Sequence, residues 1–139
     1  MTKVVEIVRD ALSHLRVIDA DAAPDPLDVR DGIRALNLMM RTWEAQNLPV
    51  GWVDVDGPDD DMPTEPAFDE AIGYNLAVRL RARYGATLDA DVVQMATDGK
   101  ALVSAMCTAT DYARLDYPDL PCSEGASRIG DYQEGLSGR

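Results

Sequence analysis

Apolar residues recur at three- and four-residue intervals in four separate stretches of the chain, and each stretch predicts an amphipathic helix. In the first, Val4, Val8, Ala11, Leu12 and Leu15 fall on one face. Thr2 stands where a capping hydroxyl belongs, and the polar run from Asp19 to Pro26 ends the element. The second stretch has the clearest start, with Asp25 at the N-cap, Pro26 in the first turn, and Asp28 and Asp31 near the positive end of the helix dipole. Its stripe is Val29, Ile33, Leu36, Met40 and Trp43, and Asn47-Leu48-Pro49 stops it, since proline keeps the residue before it out of the α conformation. The third opens at Thr64-Glu65-Pro66, carries Phe68, Ile72, Leu76 and Leu80 at four-residue steps, and closes at Gly85 after Arg79, Arg81 and Arg83. The fourth begins near Thr87 or Asp89 and places Val92, Met95, Ala96, Gly99, Leu102, Val103 and Met106 on one face. A mid-helix glycine costs about 1 kcal/mol relative to alanine, so a neighbouring helix is expected to approach closely at Gly99.

Two stretches lack this period. Val50-Gly51-Trp52-Val53-Asp54-Val55 alternates weakly and predicts a short strand or an extended arm, followed by a loop punctuated by Gly57-Pro58 and Met62-Pro63. Trp52, outside the helices, is expected to matter less to the fold than to assembly. From about Tyr112 the helical pattern dissolves, and Pro118, Pro121, Gly125, Gly130, Gly135 and Gly138 work against a helix. Yet Leu115, Tyr117, Leu120, Ile129, Tyr132 and Leu136 recur through it, which a purely solvating tail would not need. The expected organisation is therefore all-α: a four-helix domain over residues 1–111 with an acidic loop between helices two and three, then an extended arm over 112–139 that orders on a partner.

Composition sharpens this picture in two ways. A single Phe among 139 residues moves the core toward Leu, Val, Ile, Met and Ala, the residues of helix packing. The formal charge of −12 argues against free binding to nucleic acid, which needs Lys and Arg to displace counterions from phosphates. Eight carboxylates and no basic residue lie between Asp54 and Glu70, a stretch expected to be an exposed, solvated loop. Arg30, Arg34 and Arg41 are read as a solvated helix face pairing with the many acids. No signal-peptide pattern opens the sequence, and no apolar run approaches the about eighteen residues of a membrane span.

Candidate chemistry is sparse. Asp54, Asp56 and Glu65 fit positions 1, 3 and 12 of a calcium-loop frame, but Pro58 and Asp59 stand at positions 5 and 6, where a ligand and an obligatory glycine belong. One histidine and the distant Cys107 and Cys122 make no zinc set, and the two thiols read as buried or idle. His14 is expected on a helix surface, and no Gly-x-Ser-x-Gly turn or phosphate-cradling glycine loop is present. Glu65 and Glu70 leave a carboxylate-dependent hydrolase as a minor alternative. No catalytic residue, metal or cofactor is assigned.

Two blocks carry a resemblance. Leu36-Asn37-Leu38-Met39-Met40-Arg41-Thr42-Trp43, followed by Asn47-Leu48-Pro49-Val50, is similar to the "LN-x-M-x-x-x-W … G/N-L-x-V" pattern of phage head-to-tail adaptor proteins, also called tail accessory, head-completion or packaged-DNA-stabilisation proteins. Ala71-Ile72-Gly73-Tyr74-Asn75-Leu76-Ala77, with Tyr84-Gly85 after it, resembles their "AI-x-YNLA" block. The resemblance spans about residues 4–106. It implies a non-enzymatic structural subunit of a twelvefold connector ring at the head–tail junction of the virion. Such a ring docks under the portal protein, stabilises the packaged DNA it encloses without reading its sequence, and offers an attachment site to tail or nozzle proteins. Leu36, Asn37, Met40, Trp43, Tyr74 and Asn75 would then be structural motif residues, with Asn37 and Asn75 bonding backbone at helix crossings. The portal-binding role of Leu115, Tyr117, Leu120, Ile129, Tyr132 and Leu136 rests on position and composition, since the arm matches no family block. A small helical protein-binding module is the rival reading.

Overall fold

The computed structural model describes residues 1–19 and 21–114, with side-chain surroundings up to residue 109. Four helices make the fold: α1 (Val4–His14), α2 (Pro26–Ala45), α3 (Asp69–Tyr84), led in by a short 3-10 turn over Pro66–Phe68, and α4 (Ala90–Arg114). Contacts among Cα atoms divide the chain into a unit over Met1–Cys107 and a second over Thr108–Arg139. No strand occurs among the described residues, where pairing is limited to one isolated antiparallel bridge between Lys3 and Asp61.

The expected stripes of the first three helices are the core. Val4, Val8, Leu12, Leu36, Met40, Ile72 and Leu76 are fully enclosed, and Ile7, Met39 and the small Ala71 and Ala77 join them. The helices come close where side chains are small. A Cβ on Gly32 would stand 2.6 Å from Val8 Cγ1, and one on Gly99 would stand 2.8 Å from Ala71 Cβ and 2.9 Å from Ala71 Cα. The close approach expected at Gly99 is thus a contact of α4 with α3.

The first three helices end alike. Each closes with a residue in the left-handed region (Arg16, Asn47 and Gly85, at φ 59°, 66° and 59°) and a bond from the next amide back to a carbonyl five residues earlier. These are Val17 to Leu12 at 3.1 Å, Leu48 to Trp43 at 3.0 Å and Ala86 to Arg81 at 3.1 Å. This Schellman-type wrap satisfies carbonyls that the helix itself leaves open. Asn47 therefore ends α2 by its own conformation, one step before Pro49 is needed. At Arg16 the same geometry is held by a residue with a Cβ, which disfavours it.

Three expectations are corrected. Thr2 does not cap α1: Lys3 holds the N-cap position without a side-chain bond, and the Thr2 hydroxyl donates to Asp69 instead. The first amides of α1 are served by the acidic loop, Val4 N–H donating to the Asp60 carbonyl at 2.9 Å and Val5 N–H to the Pro58 carbonyl at 3.0 Å. That loop is not simply solvated, since Val55, Met62 and Thr64 are buried within it. On α4 the buried face is Val92, Ala96, Val103 and Cys107, while Met95 and Leu102 are 39 % and 53 % exposed.

Candidate assembly site and its motif residues

Asn37 anchors the segment between α2 and the acidic loop. Its Oδ1 accepts from the Val55 amide at 3.1 Å and the Trp52 indole N–H at 3.2 Å, and its Nδ2 donates to the Val55 carbonyl at 2.9 Å. One turn on, Arg41 forms a two-pronged ion pair with Asp54, and Glu44 accepts from the Trp52 amide at 2.9 Å. Residues 50–55 thus run back along α2 as an extended strap. Three of its backbone groups, the Trp52 amide and the Val55 amide and carbonyl, are bonded by side chains of α2, and among the described residues it joins no strand. The Arg41 guanidinium holds the Asp54 carboxyl below its usual range, chiefly through the hydrogen bond. Leu36, Met40 and Trp43 lie beneath, all but closed to water, with the Lys100 ammonium 5.8 Å from the centre of the Trp43 ring. Asn37 bonds backbone as expected of a half-buried amide, but the backbone is the strap's and not a helix crossing. Trp52, half-buried against the core, is part of the same lock.

Asn75 does sit at a crossing. Its Nδ2 donates to the Ala71 carbonyl of its own helix at 2.8 Å and to the Ala96 carbonyl of α4 at 2.9 Å. It ties α3 to α4 one turn from the Ala71–Gly99 contact. Tyr74, its neighbour, stacks on His14 with ring centroids 4.0 Å apart and planes 9° from parallel. His14 is therefore half-buried between α1 and α3, not a plain surface residue, and burial pushes its pKa down despite Asp10 and Glu70 nearby. Two further ties were not foreseen. The Tyr84 hydroxyl donates to Asp28 at 2.9 Å, and Arg83 pairs with Asp31 at 2.6 Å, so the end of α3 clasps the start of α2. The acids at 28 and 31 were legible as dipole partners, but nothing local announced Tyr84 and Arg83, more than fifty residues away.

The acidic loop is internally engaged. Asp54 is held by Arg41 and Asp61 by Lys3 at 2.8 Å, while Asp60 accepts from the amides of Asp56 and Gly57 at 2.9 and 3.0 Å. Among the described residues no three His, Cys, Asp or Glu side chains converge as a metal set. Glu65 and Glu70 are both exposed. Asp69 is set apart by burial, which pushes its carboxyl upward; Oδ2 takes the Thr2 hydroxyl and Oδ1 has no hydrogen-bond partner among the described residues.

Against known families, the family described as P22 tail accessory factor matches residues 1–131 of this chain. The chain belongs to the P22 tail accessory factor family. No match was found among curated proteins. As a phage tail accessory factor, the protein has a tail-related structural role in the virion. The matched stretch contains both motif blocks, with the strap held by Asn37 and the crossing held by Asn75.

The surface of this tail accessory factor carries large apolar side chains on α2 and α4 that the core does not use. Leu27 and Leu38 of α2 are 57 % and 47 % exposed, on the side opposite the buried stripe. The arm residues Leu115, Tyr117, Leu120, Ile129, Tyr132 and Leu136 lie outside the described residues. Among the described residues no helix is long and apolar enough to cross a membrane.

Proposed function

We propose that this tail accessory factor is a non-enzymatic subunit of the head-to-tail connector ring, arranged twelvefold, docking under the portal protein. In that place it stabilises the packaged DNA and presents an attachment site to tail or nozzle proteins. The observation that carries this reading is the extent of the family match, which runs past the end of α4 at Arg114 to residue 131. The match includes the stretch holding Leu115, Tyr117, Leu120 and Ile129, which supports a part for that stretch in the family's role. Several apolar side chains on one arm, each worth about 1.5–3 kcal/mol when fully buried, outweigh much of the entropy of ordering it on a partner. Repetition around a ring multiplies the hold. The acidic surface suits a channel through which DNA passes without sticking, since like charges repel.

The test is to mix the chain with its cognate portal ring and follow complex formation by size and electron microscopy. A ring-shaped complex is expected. A truncation ending at Asp111 should keep a melting temperature near that of the full chain and fail to dock. A full-length chain that stays compact and ignores portal would favour a helical binding module with another partner. A truncated chain that docks normally would move the contact surface to the helices.

A further inference from the structure

An open groove separates the outer side of α2 from the acidic loop. One lobe, about 550 Å³, is lined by Val5, Pro24, Pro26, Val29, Ile33 and Pro58. The other, about 400 Å³, continues past Arg30 and Arg34 to Leu38 and Arg41, with Val55 on the loop side. Arg30, Ile33 and Asp56 line both, so the lobes meet there. Among the described residues none of Arg30, Arg34, Asp56 and Asp59 has an oppositely charged side chain within ion-pair distance. Arg41 is held by Asp54. Asp59 lines the first lobe alone and Arg34 the second alone, so the groove is apolar and acidic at one end and basic at the other. From Pro26 to Arg41 the lined side of α2 is about 22 Å long at 1.5 Å per residue, so the two ends can be probed apart.

We propose that this groove receives a peptide segment of a second virion protein, with apolar side chains in the proline-lined lobe and a carboxylate between Arg30 and Arg34. Charge complementarity selects the occupant and its direction. In a chain of 25 acids and 13 Lys and Arg, an open pair of arginines one helical turn apart is placed to grip a carboxylate, and a guanidinium can do so with two parallel bonds. A second acid would be repelled at the Asp59 end. A nucleic-acid strand, with a phosphate at every nucleotide, meets the same repulsion there. The apolar lobe supplies the burial. Val29 and Ile33 belong to the core and Val5 packs against it, so an apolar side chain entering the lobe extends that core outward. The inference rests on the connector reading only for the presence of partner proteins, and adds the surface one of them takes and the chemistry it must carry.

The test places the photo-crosslinking residue p-benzoylphenylalanine in the full chain at one exposed position of each lobe, Ala23 for the proline-lined one and Leu38 for the arginine one. Each variant is mixed with the cognate portal ring and, separately, with each cognate tail protein, and the joined peptides are read by mass spectrometry. Both positions should join to one segment of one partner, with an Asp or Glu at the end joined from position 38. Arg30→Glu/Arg34→Glu should weaken binding of that partner at least about tenfold, while Arg79→Glu/Arg81→Glu, an equal change of charge at exposed positions of α3, should leave it within about twofold. All these positions are exposed, so melts followed by circular dichroism should stay near the wild type. If a reversal lowers the melt, Arg30→Gln/Arg34→Gln reads the same loss of binding. Joining to residues 115–139 of this chain, to a second copy or to two separate segments overturns the inference, as does equal weakening by the two charge reversals. If a ring forms on portal and neither position joins any partner, the groove is no docking site while the connector reading stands. If a tail protein is joined as expected but portal is never bound, the groove's role stands and the portal reading fails.

Discussion

In α3, Ile72, Leu76 and Leu80 are closed to water together with the small Ala71, Gly73 and Ala77, and both ends of the helix are tied to other elements. Among the described residues of α4 the buried ones are one narrow line, Val92, Ala96, Val103 and Cys107, while Val93, Met95 and Leu102 are 41 %, 39 % and 53 % exposed. The two helices touch at Ala71 and Gly99 and share the Asn75 bond, so they belong to one bundle. What separates them is the number of neighbours. Helix α3 lies between α1, α2 and α4, so residues on several sides are needed inside. Helix α4 leans on the bundle by Val92, Ala96, Val103 and Cys107 and leaves the larger Met95 and Leu102 in solvent.

The sharpest way to break this contrast is to truncate one leucine in each helix. Leu76→Ala should lower the free energy of unfolding by about 2–5 kcal/mol, since Leu76 is fully enclosed, whereas Leu102→Ala should stay within about 0.5 kcal/mol of wild type. Urea unfolding curves decide it, and similar losses at both sites would show that α4 is buried as α3 is.

Glycines give a finer comparison. Gly99→Ala should destabilise by about 1–3 kcal/mol, because the added Cβ meets Ala71 backbone at 2.9 Å. Gly73→Ala, with nothing within 4 Å of the new atom, should instead stabilise by about 0.5–1 kcal/mol through helix propensity. Thermal melts of the two variants should therefore move in opposite directions from wild type. A shared direction would contradict the close crossing.

The smallest effect is expected at His14. Burial lowers its pKa in the folded protein, so the unfolded chain takes up the proton first as pH falls. Stability from this group is present above the ordinary value of 6.5 and is lost as pH drops through it. The variant His14→Gln should flatten that part of the profile of urea midpoint against pH. Asp69, whose carboxyl is pushed upward, acts with the opposite sign at lower pH, gaining stability as it protonates. An unchanged slope between pH 7.5 and 5.5, roughly the range in which a histidine titrates, would show that the Tyr74 stack does not bury the imidazole.

Local signals carried the sequence reading a long way. Asp25-Pro26 marked the start of α2, Gly85 the end of α3 and Gly99 a close crossing, because each depends on residues near it in the chain. The stripes of α1, α2 and α3 were legible for the same reason. Periodicity could not decide which of two adjoining lines on α4 faces inward. Met95 and Leu102 looked like core, but the room beside α3 admits only the smaller Ala96 and Gly99. The strap on Asn37, the His14–Tyr74 stack and the clasp of Tyr84 on Asp28 join residues from 15 to 60 positions apart. Such pairs leave no mark in any short window. Asn37 and Asn75 stood out as amides among apolar residues, so the need for partners was readable while the partners were not.

The start of α1 depends on carbonyls that arrive late in synthesis. Until Pro58 and Asp60 have been brought back, the amides of Val4 and Val5 have no protein acceptor, so the first turn of the first helix is completed only after a loop of more than fifty residues has closed. Such a distant closure adds to the contact order of the fold. Opening that loop in the native protein would expose the helix start at the same moment. Hydrogen exchange at Val4, Val5 and Met62, whose amide is held by Thr2 at 2.9 Å, should then rise and fall as one cooperative unit.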